Sequence, residues 1–291
     1  MKEHAGRESS NPVMRGVVRD NEKSAPYAGF GQMVPGAQSV ILDSAGQPQY
    51  APAQAGRTMT IDDVVAKTGI TLAVLAGFAV AAYAAIQANT GLAMPLWGIG
   101  MVGGLVLVLV ASFGRKQDNP AIVLGYAAFE GLFVGAISHI FANWNIGGGV
   151  AEGGTNAGAL IGQAVLATFG VFFGMLVVYK TGAIRVTPRF TRMLVAGMIG
   201  VVVLMLGNLV IGLFTHSAGI LRDGGPIAII FSLVCIGLAA FSFLIDFDQA
   251  DRLIHAGAPA KAAWGVALGL TVTLVWLYIE ILRLLSYFQR N

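Results

Sequence analysis

Seven apolar runs fill nearly all of the chain after residue 57: 68–87, 93–113, 121–142, 159–179, 193–214, 226–247 and 262–287. Each is long enough to cross a hydrocarbon layer that takes about 20 helical residues. Lipid offers no water to exposed N–H and C=O groups, so such a run satisfies its backbone internally, as a helix. Helix-breaking segments separate the runs: Asn89-Thr-Gly, Gln117-Asp-Asn-Pro120, the Gly147-to-Gly158 loop, Thr187-Pro-Arg, Asp223-Gly-Gly-Pro226 and Ala256-Gly-Ala-Pro259. With 56% hydrophobic and 11% charged residues, against roughly 25% charged in soluble domains, the composition agrees. The expected fold is an all-α integral membrane protein, a seven-helix transmembrane bundle in contact with the lipid bilayer.

Residues 1–57 read differently. They are rich in Gly, Pro, Gln, Ser and Ala, with no apolar periodicity, and too little apolar surface to offset the entropy of ordering, which predicts a disordered cytoplasmic tail. No short apolar core follows the first basic residues, so no cleavable signal peptide is expected. Thr60-Ile-Asp-Asp63 has the form of a capping box with Asp in place of Glu and predicts the start of the first helix, so the membrane domain is drawn as 58–291.

Cations set the expected orientation. With the N-terminus cytoplasmic, that side holds seven Lys/Arg up to Lys67, then Arg115, Lys116, Lys180, Arg185, Arg189, Arg192, Arg252 and Lys261, fifteen in all, against Arg222 and Arg290 opposite. The positive-inside rule then predicts a multi-pass protein of the cell (inner) membrane, N-terminus in and C-terminus out. Because most cations serve topology, the net charge of +3 gives no argument for nucleic-acid binding. The lone Cys235 lies in an apolar run and forms no intrachain disulfide.

Acidic residues inside the runs are the candidates for function, since a charged group at the centre of a span costs at least about 2.5–3.5 kcal/mol and usually faces a bundle interior or an ion path. Glu280 stands in Leu270-Thr-Val-Thr-Leu-Val-Trp-Leu-Tyr-Ile-Glu-Ile-Leu, one turn before Arg283. Gly269, Thr273, Trp276, Glu280, Arg283 and Tyr287 align as one stripe, expected to face protein. Two readings of Glu280 stay open: a titrating group, or half of a satisfied ion pair with Arg283. Glu130 sits mid-span in the third run, and Asp246 and Asp248 near the end of the sixth. Two residues apart on a helix means about 200° of rotation, so only one of these aspartates can face the core. Gly100xxxGly104, Gly131xxxGly135 and Gly170xxxGly174 read as close-packing surfaces.

Enzyme signatures are thin, and no catalytic activity is expected. His139 has no nucleophile elbow beside it, and His216 and His255 form no cluster with metal spacing. The seventh run has no lysine for a retinal Schiff base, and no P-loop is present.

Phe129-Glu-Gly-Leu in the third run, Phe247-Asp-Gln ending the sixth, and Leu277-Tyr-Ile-Glu-Ile-Leu-Arg-Leu-Leu in the seventh are together similar to the motifs of the transmembrane Bax inhibitor motif family, in its bacterial branch. The chain resembles that family over about residues 60–288. The resemblance implies a pH-sensitive calcium leak channel in which protonation of buried carboxylates opens the path. It implies Asp248 and Glu280 as the sensing pair, with Arg115 as the latch on one of them. Asp246 and Glu130 are further candidates for the path, calcium is the transported ion with weak binding at Asp248 and Glu280, and no cofactor is expected. A non-conducting regulator that binds a membrane protease or other membrane protein is the alternative the family offers. The chain departs from the pattern by Glu at 280 and by a longer separation of the two acids. A hairpin turning near Gly257 leaves them about 12 residues out of register, roughly 18 Å.

Overall fold

The computed structural model describes residues 40–42, 48–50, 57–143, 157–215 and 219–289. The chain divides into two compact units, 1–55 and 56–291. In the first, β1 (Val40–Leu42) pairs antiparallel with β2 (Pro48–Tyr50), Ile41 opposite Gln49. This short ladder lies within the segment read as a tail: Val-Ile-Leu has strand preference, and Pro48 stands first in its strand, where its missing N–H costs least. The rest of the expected disordered tail lies outside the described residues.

The second unit holds seven helices, each long and apolar enough to cross a membrane: α1 (Ile61–Ala88), α2 (Ala93–Phe113), α3 (Pro120–Asn143), α4 (Ala157–Thr181), α5 (Pro188–Thr215), α6 (Pro226–His255) and α7 (Ala263–Phe288). The predicted cap is present. The Thr60 hydroxyl accepts from the Asp63 N–H at 3.3 Å, and the Asp63 carboxylate accepts from the Thr60 N–H at 3.1 Å. Arg57 forms an ion pair with Asp63. Thr60→Ala is expected to cost about 1 kcal/mol, read as a lower melting temperature in detergent, whereas Ala at the exposed neighbour Asp62 leaves it unchanged.

The start of α1 is also tied to the turn between α6 and α7. Met59 N–H donates to Ala258 O at 2.7 Å, Ala260 N–H donates to Arg57 O at 2.8 Å, and the Lys67 ammonium reaches Ala260 O. The same ammonium lies 5.7 Å from the Trp264 ring centroid. Lys261 pairs with Asp118 of the α2–α3 turn at 2.7 Å and holds that carboxyl below its ordinary range. Part of the basic charge read as a topology signal thus also clasps the start of α1 and two turns together.

α7 is the axis of the bundle. Of its spanning length 72% is buried, against 11–44% for the other six helices, and its buried residues include Leu268, Leu270, Leu274, Leu277 and Leu282 as well as Thr273, Glu280, Arg283 and Tyr287 of the polar stripe. Lipid-facing surface therefore falls to the outer helices, where Val80, Leu105, Phe173 and Leu206 are exposed. α3 lies against α1 and α2 through glycines. A Cβ on Gly100 would stand 2.5 Å from Phe133 N, one on Gly131 2.7 Å from Phe78 Cβ, and one on Gly135 2.8 Å from Ala82 Cβ. Among the described residues nothing lies within 4 Å of a Cβ at Gly170 or Gly174, so the expectation of a close-packing surface is corrected for the third glycine motif within these residues. α5 rests chiefly on α6, where Val201, Phe231 and Cys235 form a small core with Met205, Leu221 and Leu238.

Candidate functional site

The acidic residues singled out in the sequence occupy three separate places. Glu280 and Arg283 are 1% and 5% exposed, and Arg283 Nη1 donates to both carboxylate oxygens, at 2.7 and 2.8 Å. The Phe141 ring of α3 lies 5.7 Å from the same guanidinium. A second cation approaches from the segment before α6. Arg222 is half-buried, and burial first, then the neighbouring Arg283, push its pKa down, with Glu280 opposing. Its Nη2 lies 3.6 Å from Met205 Sδ. The strand of chain that carries it is fastened to α5: Leu221 N–H donates to Asn208 Oδ1 at 3.0 Å. Gly219, at φ +74°, lies where a Cβ would stand 2.6 Å from the Asn208 amide. Two guanidiniums and one carboxylate thus meet at the end of the bundle opposite the Lys67–Lys261 clasp.

Asp246 and Asp248 lie inside α6, which runs two turns beyond the predicted end of its span. Their opposite directions are realised. The half-buried Asp246 faces α7, where the Thr273 hydroxyl donates to Oδ2 at 2.7 Å. Asp248 pairs with Arg252 of its own helix at 2.7 Å, its side chain 23% exposed. Among the described residues no cation forms an ion pair with Asp246. Thr273 stands seven residues before Glu280 on α7, about 10 Å along the axis, and Asp248 lies farther still. The structure does not bring Asp248 and Glu280 together: each has its own arginine.

Arg115 is exposed in the turn after α2, its backbone left-handed at φ +53°. Among the described residues it makes no ion pair; the guanidinium on Asp248 is that of Arg252. Glu130 belongs to a third place, the α2–α3 interface, where it hydrogen-bonds Tyr126 one turn earlier. Its Oε2 would lie 2.7 Å from a Cβ on Gly104, so that glycine makes room for the carboxylate. α3 also meets α7 through a buried bond of 2.8 Å between the Ser138 and Tyr278 hydroxyls. His139 stacks edge-on against Tyr83, ring centroids 5.5 Å apart. Among the described residues no group of three or more His, Cys, Asp or Glu could hold a metal ion.

The places of two cations beside these acids escaped the sequence reading. Arg252 was within reach of it, since a residue four after Asp248 on a helix is its neighbour. Arg222 was not, because only the fold of the 219–225 segment against Asn208 brings it inward.

The chain belongs to the Bax inhibitor 1 like family, whose family model matches residues 11–290. The match takes in most of the N-terminal segment, which the sequence resemblance left out. Among curated proteins no match is found.

Proposed function

We propose that the chain is a cation leak path of the membrane, calcium foremost, in which protonation of Asp246 switches passage. The observation that carries this reading is an aspartate within a membrane helix, facing the central helix, with the Thr273 hydroxyl as its hydrogen-bond donor and, among the described residues, no cation paired to it. Carboxylates in that position characteristically belong to ion and proton pathways. A hard cation takes six to eight oxygens. One or two carboxylates with backbone carbonyls and water would bind it weakly enough to let it leave.

The other acids take different parts. Asp248, partly exposed and held by Arg252, stands at the basic end as an entry carboxylate. Glu280, bound to Arg283, anchors α7, so the sensing role that the resemblance implied for Glu280 passes to Asp246. Glu130 lies in the α2–α3 interface, away from this line. Family membership supports the reading, and the fifteen-to-two division of cations supports a cytoplasmic N-terminus in the inner membrane.

The test is calcium flux against pH in liposomes holding only the purified protein. Wild type is expected to leak in a pH-dependent way. Asp246→Asn, which still accepts from Thr273, is expected to melt close to wild type while losing the pH dependence. A pH profile identical to wild type removes Asp246 from the role. No flux from folded wild type removes conduction and leaves the protease-regulator reading.

A further inference from the structure

We infer that an anionic phospholipid seats between α5 and α6 at the basic end of the bundle, its phosphate held by Arg192 and Arg252. A cavity of about 580 Å³ opens there, with Thr191, Arg192 and Arg252 among its polar lining and Val195, Ala196 and Ile199 forming an apolar wall. The order of these residues along α5 is the order of a lipid. Pro188 opens the helix and Thr187 caps it, its hydroxyl accepting from the Phe190 N–H at 3.2 Å. The polar residues follow in the first turn, where the positive end of the helix dipole favours an anion. Val195 and Ile199 come next, about 10 and 16 Å below Pro188, and they are 41% and 59% exposed on a membrane-spanning helix.

Charge complementarity chooses the head of the ligand. Among the described residues Arg192 has no acidic partner, and the only acid paired with Arg252 is Asp248, through Nε, the Arg252 side chain remaining 70% exposed. A phosphodiester offers two oxygens to such forks, and a head without a cation is favoured, since a choline ammonium beside the phosphate would face two guanidiniums. Basic pockets between spanning helices on the positively charged side are suited to phospholipid headgroups. The apolar wall chooses the rest of the ligand. It continues into the lipid-facing flank of α5, so an occupant with hydrocarbon chains covers it, whereas free phosphate leaves it bare. α5 rests on α6 around Val201, Phe231 and Cys235 and again through the edge-on Phe190 and Phe241 rings, centroids 6.0 Å apart. Through Arg252 the headgroup also reaches Asp248, so its arrival would redirect the guanidinium that now holds that carboxylate. The site itself is independent of whether the chain conducts.

The experiment uses full-length protein in neutral detergent, titrated with phosphatidylglycerol, with phosphatidylcholine of the same chains, or with inorganic phosphate. Bound lipid is read by native mass spectrometry and stabilisation by the shift in melting temperature. Phosphatidylglycerol is expected to stay bound and raise the melting temperature, and phosphatidylcholine to do neither. Arg192→Gln is expected to weaken phosphatidylglycerol binding at least tenfold. Ile199→Trp, which keeps both arginines and fills the wall, is expected to do the same, while Arg185→Gln binds as wild type does. Equal loss in Arg185→Gln would reduce the effect to diffuse surface attraction. Wild-type affinity in Arg192→Gln and Ile199→Trp, or an equal thermal shift from inorganic phosphate, overturns the lipid site.

Discussion

Glu280→Gln is expected to destabilise the bundle by about 3–5 kcal/mol, the cost of removing one partner from a buried ion pair. Gln fits the space and still accepts a hydrogen bond, so the loss is one of charge. The partner Arg283, whose Nη1 donates to both carboxylate oxygens, is 5% exposed. The half-buried Arg222 worsens matters, because without the carboxylate two guanidiniums face each other. The converse change is milder: Arg283→Met leaves Glu280 beside Arg222, still opposite in charge. The double variant Glu280→Gln/Arg283→Met is expected to recover most of the loss, since an apolar replacement of a whole buried pair is often close to neutral. The sum of the single effects should therefore exceed the effect of the pair, the signature of direct coupling. Melting temperatures in detergent for the four proteins test this. A Glu280→Gln protein as stable as wild type would deny Glu280 its anchoring role and reopen its candidacy as a titrating group.

Length and apolarity made the seven spans legible, because a bilayer admits so few alternatives, and local chemistry made the Thr60–Asp63 cap legible. The division of Asp246 and Asp248 between core and surface was legible as geometry, though not which faced inward; that choice depended on Thr273, on another helix. The partners of the remaining charges were only partly legible. Arg252 lay within one turn of Asp248, but the resemblance pointed to Arg115. Arg222 owes its position to a buried glycine and the Asn208 amide, a contact between residues 13 apart that no local pattern announces. The polar stripe of α7 predicted one protein-facing side, and the structure buries the helix nearly all round, which apolar composition alone cannot tell from a lipid-facing wall.

The glycine motifs separate what is read from sequence from what is fixed by packing, and they carry the second large prediction. Gly131xxxGly135 and Gly170xxxGly174 have the same form. At Gly131 an added Cβ would stand 2.7 Å from Phe78 Cβ and 3.2 Å from Ala79 N; at Gly135, 2.8 Å from Ala82 Cβ and 3.1 Å from the Ala79 carbonyl carbon. Backbone cannot swing aside like a flexible side chain, so α1 as a whole would have to move. Each of Gly131→Ala and Gly135→Ala is expected to cost about 1–3 kcal/mol, the range for overpacking a well-filled interior. On α4 nothing among the described residues lies within 4 Å of a Cβ at either position. Gly170→Ala and Gly174→Ala are expected to hold or raise stability, since alanine is favoured over glycine in a helix interior by about 0.8–1.0 kcal/mol. Four single variants, melted in the same detergent, decide the matter. A loss at Gly170 or Gly174 as large as that at Gly131 or Gly135 would show that α4 meets a partner through its glycine face, and harmless alanines at both Gly131 and Gly135 would mean that α1 and α3 do not approach as closely as these positions require.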